Sequence, residues 1–136
     1  MSWLLDTNAC IRYLNGRAPH LRQRIDETGP ESIVVCSIVK AELHYGALRS
    51  RDPERAVAAQ QRFVSRFRSI PFDDACAHSY GEIRARLAAQ GTPIGPNDLL
   101  IAAIALTHGL RLVSANIEEF GRVPGLIVED WERGGA

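Results

Sequence analysis

Acidic side chains recur in this 136-residue chain where apolar runs give way to helical patterns. Asp6 follows Trp3-Leu4-Leu5, Glu42 lies beyond Ile33-Val34-Val35-Cys36, Asp98 opens an Ala-rich run, and Glu119 follows Leu112-Val113 together with Asn116. In an open parallel sheet, ligands sit beyond the carboxyl ends of the strands, so these residues occupy positions from which chemistry can be done. Carboxylates that converge on one cleft repel one another unless they take up protons or hold a cation. A set of hard oxygen ligands with no accompanying His or Cys cluster selects Mg2+ or Mn2+ over Zn2+. His20, His44, His78 and His108 show no zinc-binding spacing, and the glycine motifs of P-loops, dinucleotide folds and nucleophile elbows are absent, which argues against those chemistries. Taken singly, Asp6 serves equally well as a helix N-cap and Asp98 as a partner of a helix dipole. Glu42 is flanked by Ala41 and Leu43, with Gly46 one turn on. A mid-helix Gly costs about 1 kcal/mol against Ala, so the sequence predicts a close approach to that face.

The elements that must position these residues follow from the apolar pattern. Trp3-Leu4-Leu5 reads as a buried strand, with Asp6-Thr7-Asn8 capping a helix through Leu14 that Asn15-Gly16 ends. Further helices are predicted over 20–27, from a Ser37 cap to about Ser50, from Pro53 to about Arg68, from Asp73 or Asp74 to Gln90, and from Gly95-Pro96 to Leu106. Strands are predicted at 33–36, weakly at 70–72, and at 110–113 and 126–128. Strands that are apolar throughout, separated by helices, predict an α/β fold with a central, mostly parallel sheet of four to five strands covered on both faces. One domain over 1–136 accommodates it.

Composition narrows the class further. Hydrophobic residues make up 46% and charged residues 24%, a folded globule and not a disordered chain. The apolar run 99–107 is half the length of about 18 residues that a membrane span requires, and the first six residues carry no basic region, so a cytoplasmic, non-membrane setting is expected. Cys10, Cys36 and Cys76 are odd in number and form no CxxC pair, and are expected as buried core thiols. Sixteen basic against sixteen acidic residues give no net charge, yet the charge is segregated: 49–68 holds six Arg against Asp52 and Glu54. Arg55, Arg62 and Arg66 fall on one face of the predicted 53–68 helix, a stripe that serves either as a phosphate-binding surface or as a solvated face.

Four blocks stand in order: Leu4-Leu5-Asp6-Thr7-Asn8; Glu42-Leu43-x-Tyr45-Gly46-Ala47; Ile94-Gly95-Pro96-Asn97-Asp98-Leu99-Leu100-Ile101-Ala102-Ala103; and Val113-Ser114-Ala115-Asn116-x-x-Glu119-Phe120. With Val123-Pro124-Gly125-Leu126 and Glu129-Asp130-Trp131, they resemble the PIN-domain ribonucleases, and among these the VapC toxins of bacterial toxin–antitoxin pairs. The resemblance covers residues 3–131. It implies a three-layer α/β/α PIN domain whose metal ligands are Asp6, Glu42 and Asp98, holding Mg2+ with Mn2+ as a substitute. Asn116 stands where many PIN domains place a fourth acid, and Glu119 then completes the catalytic set. Ser114 matches a Thr/Ser position whose hydroxyl orients the first Asp, and Asn8 matches a small polar position that orients Asp6. Ala115 replaces an Asn of similar members.

The activity so implied is metal-dependent endoribonucleolytic cleavage of structured RNA, with transfer RNA the commonest target class, leaving 5′-phosphate and 3′-hydroxyl ends. The partners implied are a VapB-type antitoxin lying across the active-site groove, a second copy in a homodimer, and a heterotetramer or larger complex with the antitoxin. Arg55, Arg62 and Arg66 would contact the RNA. Two competing readings use the same residues: a catalytically silent PIN-like binding module, and a DNA nuclease or phosphatase.

Overall fold

The computed structural model describes residues 1–133; residues 134–136, the tail of the single domain expected over 1–136, lie outside the described residues. β1 (Trp3–Leu5) leads into α1 (Thr7–Asn15) and α2 (Pro19–Thr28), and β2 (Ile33–Cys36) into α3 (Ser37–Leu48) and α4 (Pro53–Val64). β3 (Arg68–Ile70) is followed by α5 (Asp74–Ala89) and α6 (Pro96–Thr107), and β4 (Arg111–Val113) by α7 (Ile117–Phe120) and β5 (Val128–Glu129). The five strands pair in parallel in the order β3-β2-β1-β4-β5. Every residue of β2 is buried. Because successive strand side chains point to opposite faces, the helices must cover both, which is the three-layer arrangement expected from the sequence.

The first strand is the middle of the sheet. Trp3 and Leu4 pair with Ile33 and Val34 on one side, and Trp3 to Leu5 pair with Arg111 to Val113 on the other. Asp6 therefore leaves the sheet at its centre, and its backbone N–H still donates to the Val113 carbonyl, 3.1 Å away. In α6, Leu99 and the run Ile101 to Ala105 are buried, as a helix packed on several sides requires. Cys10, Cys36 and Cys76 are buried and free, as expected. No described helix is long and apolar enough to cross a membrane.

Four boundaries depart from expectation. The helix opened by Pro53 ends at Val64, not Arg68: the N–H groups of Arg66 and Phe67 turn back to the carbonyls of Phe63 and Val64, which tightens the last turn and frees the chain to enter β3. That strand runs Arg68–Ile70 and stops before Pro71, which has no N–H to give the ladder. Ser37 does not cap α3. Cys36 holds the cap position, and the Ser37 hydroxyl instead accepts from the Phe72 N–H at 3.1 Å, tying the chain after β3 to the end of β2. The last strand is only Val128–Glu129, preceded by Gly125 at φ 82°. The single-turn helix α7 is an addition to the expected elements, too short to show an apolar period.

Candidate active site

Asp6 is the N-cap of α1, and its Oδ1 accepts from the Ala9 N–H at 2.7 Å. It is 4% exposed. Burial pushes its carboxyl up to about 6, against hydrogen bonds from the Ser114 hydroxyl and the Ala9 N–H that favour the charged form. Ser114, buried just past β4, also accepts from the Asn116 N–H at 3.0 Å, so its hydroxyl proton is free to point at Asp6. Asn8 is exposed on the cleft wall. Among the described residues no side-chain hydrogen bond joins it to Asp6, so the orienting role expected of it falls to Ala9 and Ser114.

Glu42 projects from α3 and is fixed from two sides: the Thr7 hydroxyl donates to its Oε1 at 2.5 Å and the Asn97 side-chain amide to its Oε2 at 3.1 Å. Thr7 adjoins Asp6 in sequence and Asn97 adjoins Asp98, so two of the motif blocks clamp the acid of the third. Asp98 sits in the first turn of α6. Burial, then a shared hydrogen bond with the Glu119 carboxylate, pushes it up to about 7. Glu119 moves the other way, held charged first by the Gly95 N–H at 2.6 Å, with the Asn116 amide on its other oxygen at 2.5 Å. Of this pair, Asp98 is the carboxyl whose charged form is disfavoured. Asn116, standing where a fourth acid is common in the resembling family, thus serves to position Glu119.

The structure gathers Asp6, Glu42 and Asp98 around one open cleft of about 500 Å3, with Thr7, Asn8, Ile11, Tyr45 and Asn97 completing its wall. Among the described residues, none of the three acids enters an ion pair with Lys, Arg or His. An all-oxygen donor set, part-buried and without a counter-charge, fits a hard divalent cation. Tyr45 and Ile11 are 62% and 42% exposed at the mouth, an apolar rim that no charge pattern signals. Thr7 and Asn97 belong to the motif blocks, but their role as clamps emerges only from the fold.

A second apolar groove of about 410 Å3 adjoins the cleft, sharing Glu42 and Ile11 with it and bounded by α1, α3 and α4. Gly46 lines it, and a Cβ built there meets nothing within 4 Å, so the close approach predicted from this glycine is not made by the chain itself. Gly46→Ala is therefore expected to stabilise the protein by about 0.5–1 kcal/mol, read as a higher urea midpoint at unchanged slope. Loss of stability would mean that the groove closes in solution.

Of the Arg stripe, Arg55 and Arg62 are exposed on α4. Arg66 lies beyond the end of that helix, which corrects its predicted place on the stripe. Its guanidinium donates to the Tyr13 hydroxyl at 3.0 Å, pairs with Asp26 at 3.4 Å and stacks against Tyr13, Phe63 and Phe67.

The PIN-domain profile matches residues 3–126. Over 131 residues the chain is 40% identical to the tRNA(fMet)-specific endonuclease VapC of Salmonella typhimurium, spanning 96% of this chain and 98% of that protein. It is 38% identical over 134 residues to the Ribonuclease VapC2 of Rickettsia felis, spanning 98% and 100%. Among solved structures, the DNA-bound VapBC of Salmonella typhimurium superposes with a TM-score of 0.91 at 40% identity over 96% of this chain and 98% of that one. VapBC2 of Rickettsia felis bound to a promoter DNA fragment gives 0.89 at 37% identity over 95% and 98%.

Proposed function

The chain belongs to the VapC branch of the PIN-domain family, and from that premise we propose that it is the endoribonuclease toxin of a VapBC-type pair, dependent on Mg2+ or Mn2+. The observation that carries this reading is the uncompensated acid cleft: Asp6 and Asp98 both pushed up towards neutrality, Glu42 beside them, and no basic side chain paired with any of the three among the described residues. When bound there, the cation supplies charge neutralisation, polarises the scissile phosphate and acidifies a water.

The chain's own residues divide the remaining work. Asp6 and Asp98 hold the cation once each has given up its proton. Glu42, clamped by Thr7 and Asn97, holds the cation with them or takes the proton of the attacking water. Glu119 stays charged next to Asp98, whose proton leaves to solvent as the site loads. Hydrolysis with in-line displacement leaves a 5′-phosphate and a 3′-hydroxyl. The exposed Tyr45 ring at the mouth offers a stacking face for an unpaired base, the usual device for reading single-stranded RNA, and Arg55 and Arg62 offer phosphate contacts on α4. The substrate is structured RNA, with a transfer RNA as the class most in keeping with the relatives' names.

A VapB-type antitoxin is the proposed partner, within a homodimer-based assembly of four chains or more, and the cytoplasm, where RNA and antitoxin are found, the setting. The domain is proposed to take in the whole of 1–136.

The deciding experiment incubates purified, antitoxin-free protein with total bacterial RNA in Mg2+, in Mn2+ and in EDTA, then sequences the new 5′-phosphate ends. Discrete cuts in one or a few RNAs, lost with EDTA, are expected. Folded protein that cuts no RNA in either metal would sink the proposal in favour of a binding module. Cleavage of a DNA flap or a phosphomonoester with RNA left intact would replace it with the DNA nuclease or phosphatase.

A further inference from the structure

Away from the acid cleft, Asp73, Cys76 and His108 bring a carboxylate oxygen, a thiol sulfur and an imidazole nitrogen within 4.8 Å of one another. They come from the two ends of a helix pair. Asp73 caps α5, Cys76 lies in its first turn, and His108 closes α6. Because α6 carries Asp98 near its other end, ten residues from His108, the two groups of donors are separated by about 15 Å of helix at 1.5 Å per residue. The set is chemically unlike the cleft: sulfur and nitrogen here, oxygen alone there.

We propose that Asp73, Cys76 and His108 form a site for Zn2+, or another borderline-soft divalent cation, that pins the start of α5 to the end of α6. Sulfur, imidazole and carboxylate are the three donor types that zinc takes in proteins, and three of them with a water complete its tetrahedron. The donors are arranged for it. Cys76 is fully buried, while Asp73 and His108 are exposed and cover it from the solvent side. The cap hydrogen bond from the Cys76 N–H occupies only the Oδ1 of Asp73, at 3.1 Å, which leaves Oδ2 to ligate. His108 uses its backbone N–H to close α6 onto the Ile104 carbonyl, and its ring carries no hydrogen bond or ion pair among the described residues.

The edges of a zinc tetrahedron with bonds of about 2.0–2.3 Å are roughly 3.5 Å long. The donors must therefore close by about 1 Å, which rotation of the two exposed side chains provides. The frame between them is already held: the Thr107 hydroxyl bonds with the Ser79 hydroxyl at 2.8 Å, joining α6 to α5 beside the site. Coordination replaces the S–H bond of Cys76 with an S–metal bond and releases the proton to solvent, with no change of oxidation state.

The test is a titration of EDTA-treated, fully reduced protein with Co2+, which reports a thiolate ligand by an intense near-ultraviolet sulfur-to-cobalt absorption that an oxygen-only cleft cannot produce. One equivalent of Co2+ should develop the band, and Zn2+ should displace it. The band should persist in Asp98→Asn, which removes a cleft acid, and in Cys10→Ala. It should vanish in Cys76→Ala. His108→Ala and Asp73→Asn, the latter keeping the helix cap, should each weaken Co2+ by at least about tenfold, since even groups that only support a ligand are worth about 10- to 100-fold. Absence of the band in the folded wild type overturns the proposal. So does its survival in Cys76→Ala, or an unchanged affinity in His108→Ala, a surface change that leaves the fold alone.

Discussion

Asp6→Asn is expected to cut RNA cleavage by about a thousandfold, the rate equivalent of about 4 kcal/mol, while making the metal-free protein more stable at alkaline pH. Both effects come from one carboxyl. Its charge is needed in the cleft, yet burial sets its pKa at about 6 against an ordinary value of 3.8, so the folded chain keeps a proton that the unfolded chain has already released. Stability from this group is therefore fully present below about pH 4 and is lost as the pH climbs through about 6. A displacement of that size is worth about 3 kcal/mol at most. Asparagine carries no charge and still caps α1 through Ala9. Urea unfolding of EDTA-treated wild type and variant at about pH 5 and about pH 8 separates the two contributions. The wild type should lose stability between them by more than the variant does. Parallel behaviour would remove the buried charge from the account, and full nuclease activity in the variant would remove Asp6 from the site.

The affinity for Mg2+ or Mn2+ is expected to rise by about a hundredfold between about pH 5.5 and about pH 7.5, because both Asp6, at about 6, and Asp98, at about 7, must lose a proton before they can ligate. Each proton displaced contributes up to tenfold per pH unit below its pKa. Glu119, held charged by Gly95 and Asn116, contributes little to the slope directly but adds to the burial that raises Asp98. Glu119→Gln removes the neighbouring negative charge, so it should lower the Asp98 pKa and move the affinity curve to lower pH. Calorimetric titration in buffers of different ionisation enthalpy counts the released protons. A flat affinity across this range, or no proton release, would show that other groups hold the cation.

The parts of the site legible in the sequence are those tied to a local signal. Asp6 ends an apolar strand and Asp98 opens an apolar helix, so their places at the sheet's carboxyl edge follow from adjacent residues. The clamps on Glu42 do not: Thr7 and Asn97 reach it across 35 and 55 positions, and nothing near either residue encodes the contact. Periodicity also misleads where an element stops early. Arg66 keeps helical spacing with Arg55 and Arg62, but α4 ends at Val64, and the side chain serves Tyr13 and Asp26 instead. Gly46 suggests a close approach by its cost in a helix, but the space beside it is an open groove with nothing within 4 Å of a Cβ, and the residue type alone does not tell the two apart. Three of the five parallel strands, β1, β2 and β4, are legible from apolar runs, whereas β3 and β5 overlap their expected spans only at Ile70 and Val128, because Arg68, Ser69 and Glu129 give no apolar signal.

The place of Trp3–Leu5 at the centre of the sheet has a consequence for synthesis. The first strand made waits long for completion, since one of its two neighbours, Arg111–Val113, emerges more than a hundred residues later. Chain translated from the N-terminus cannot close the middle of this sheet, and so cannot bring Asp6 together with Ser114 and Glu119, until nearly the whole polypeptide has left the ribosome. On the proposed activity, an incomplete chain on the ribosome, surrounded by RNA, would have no assembled cleft with which to cut it.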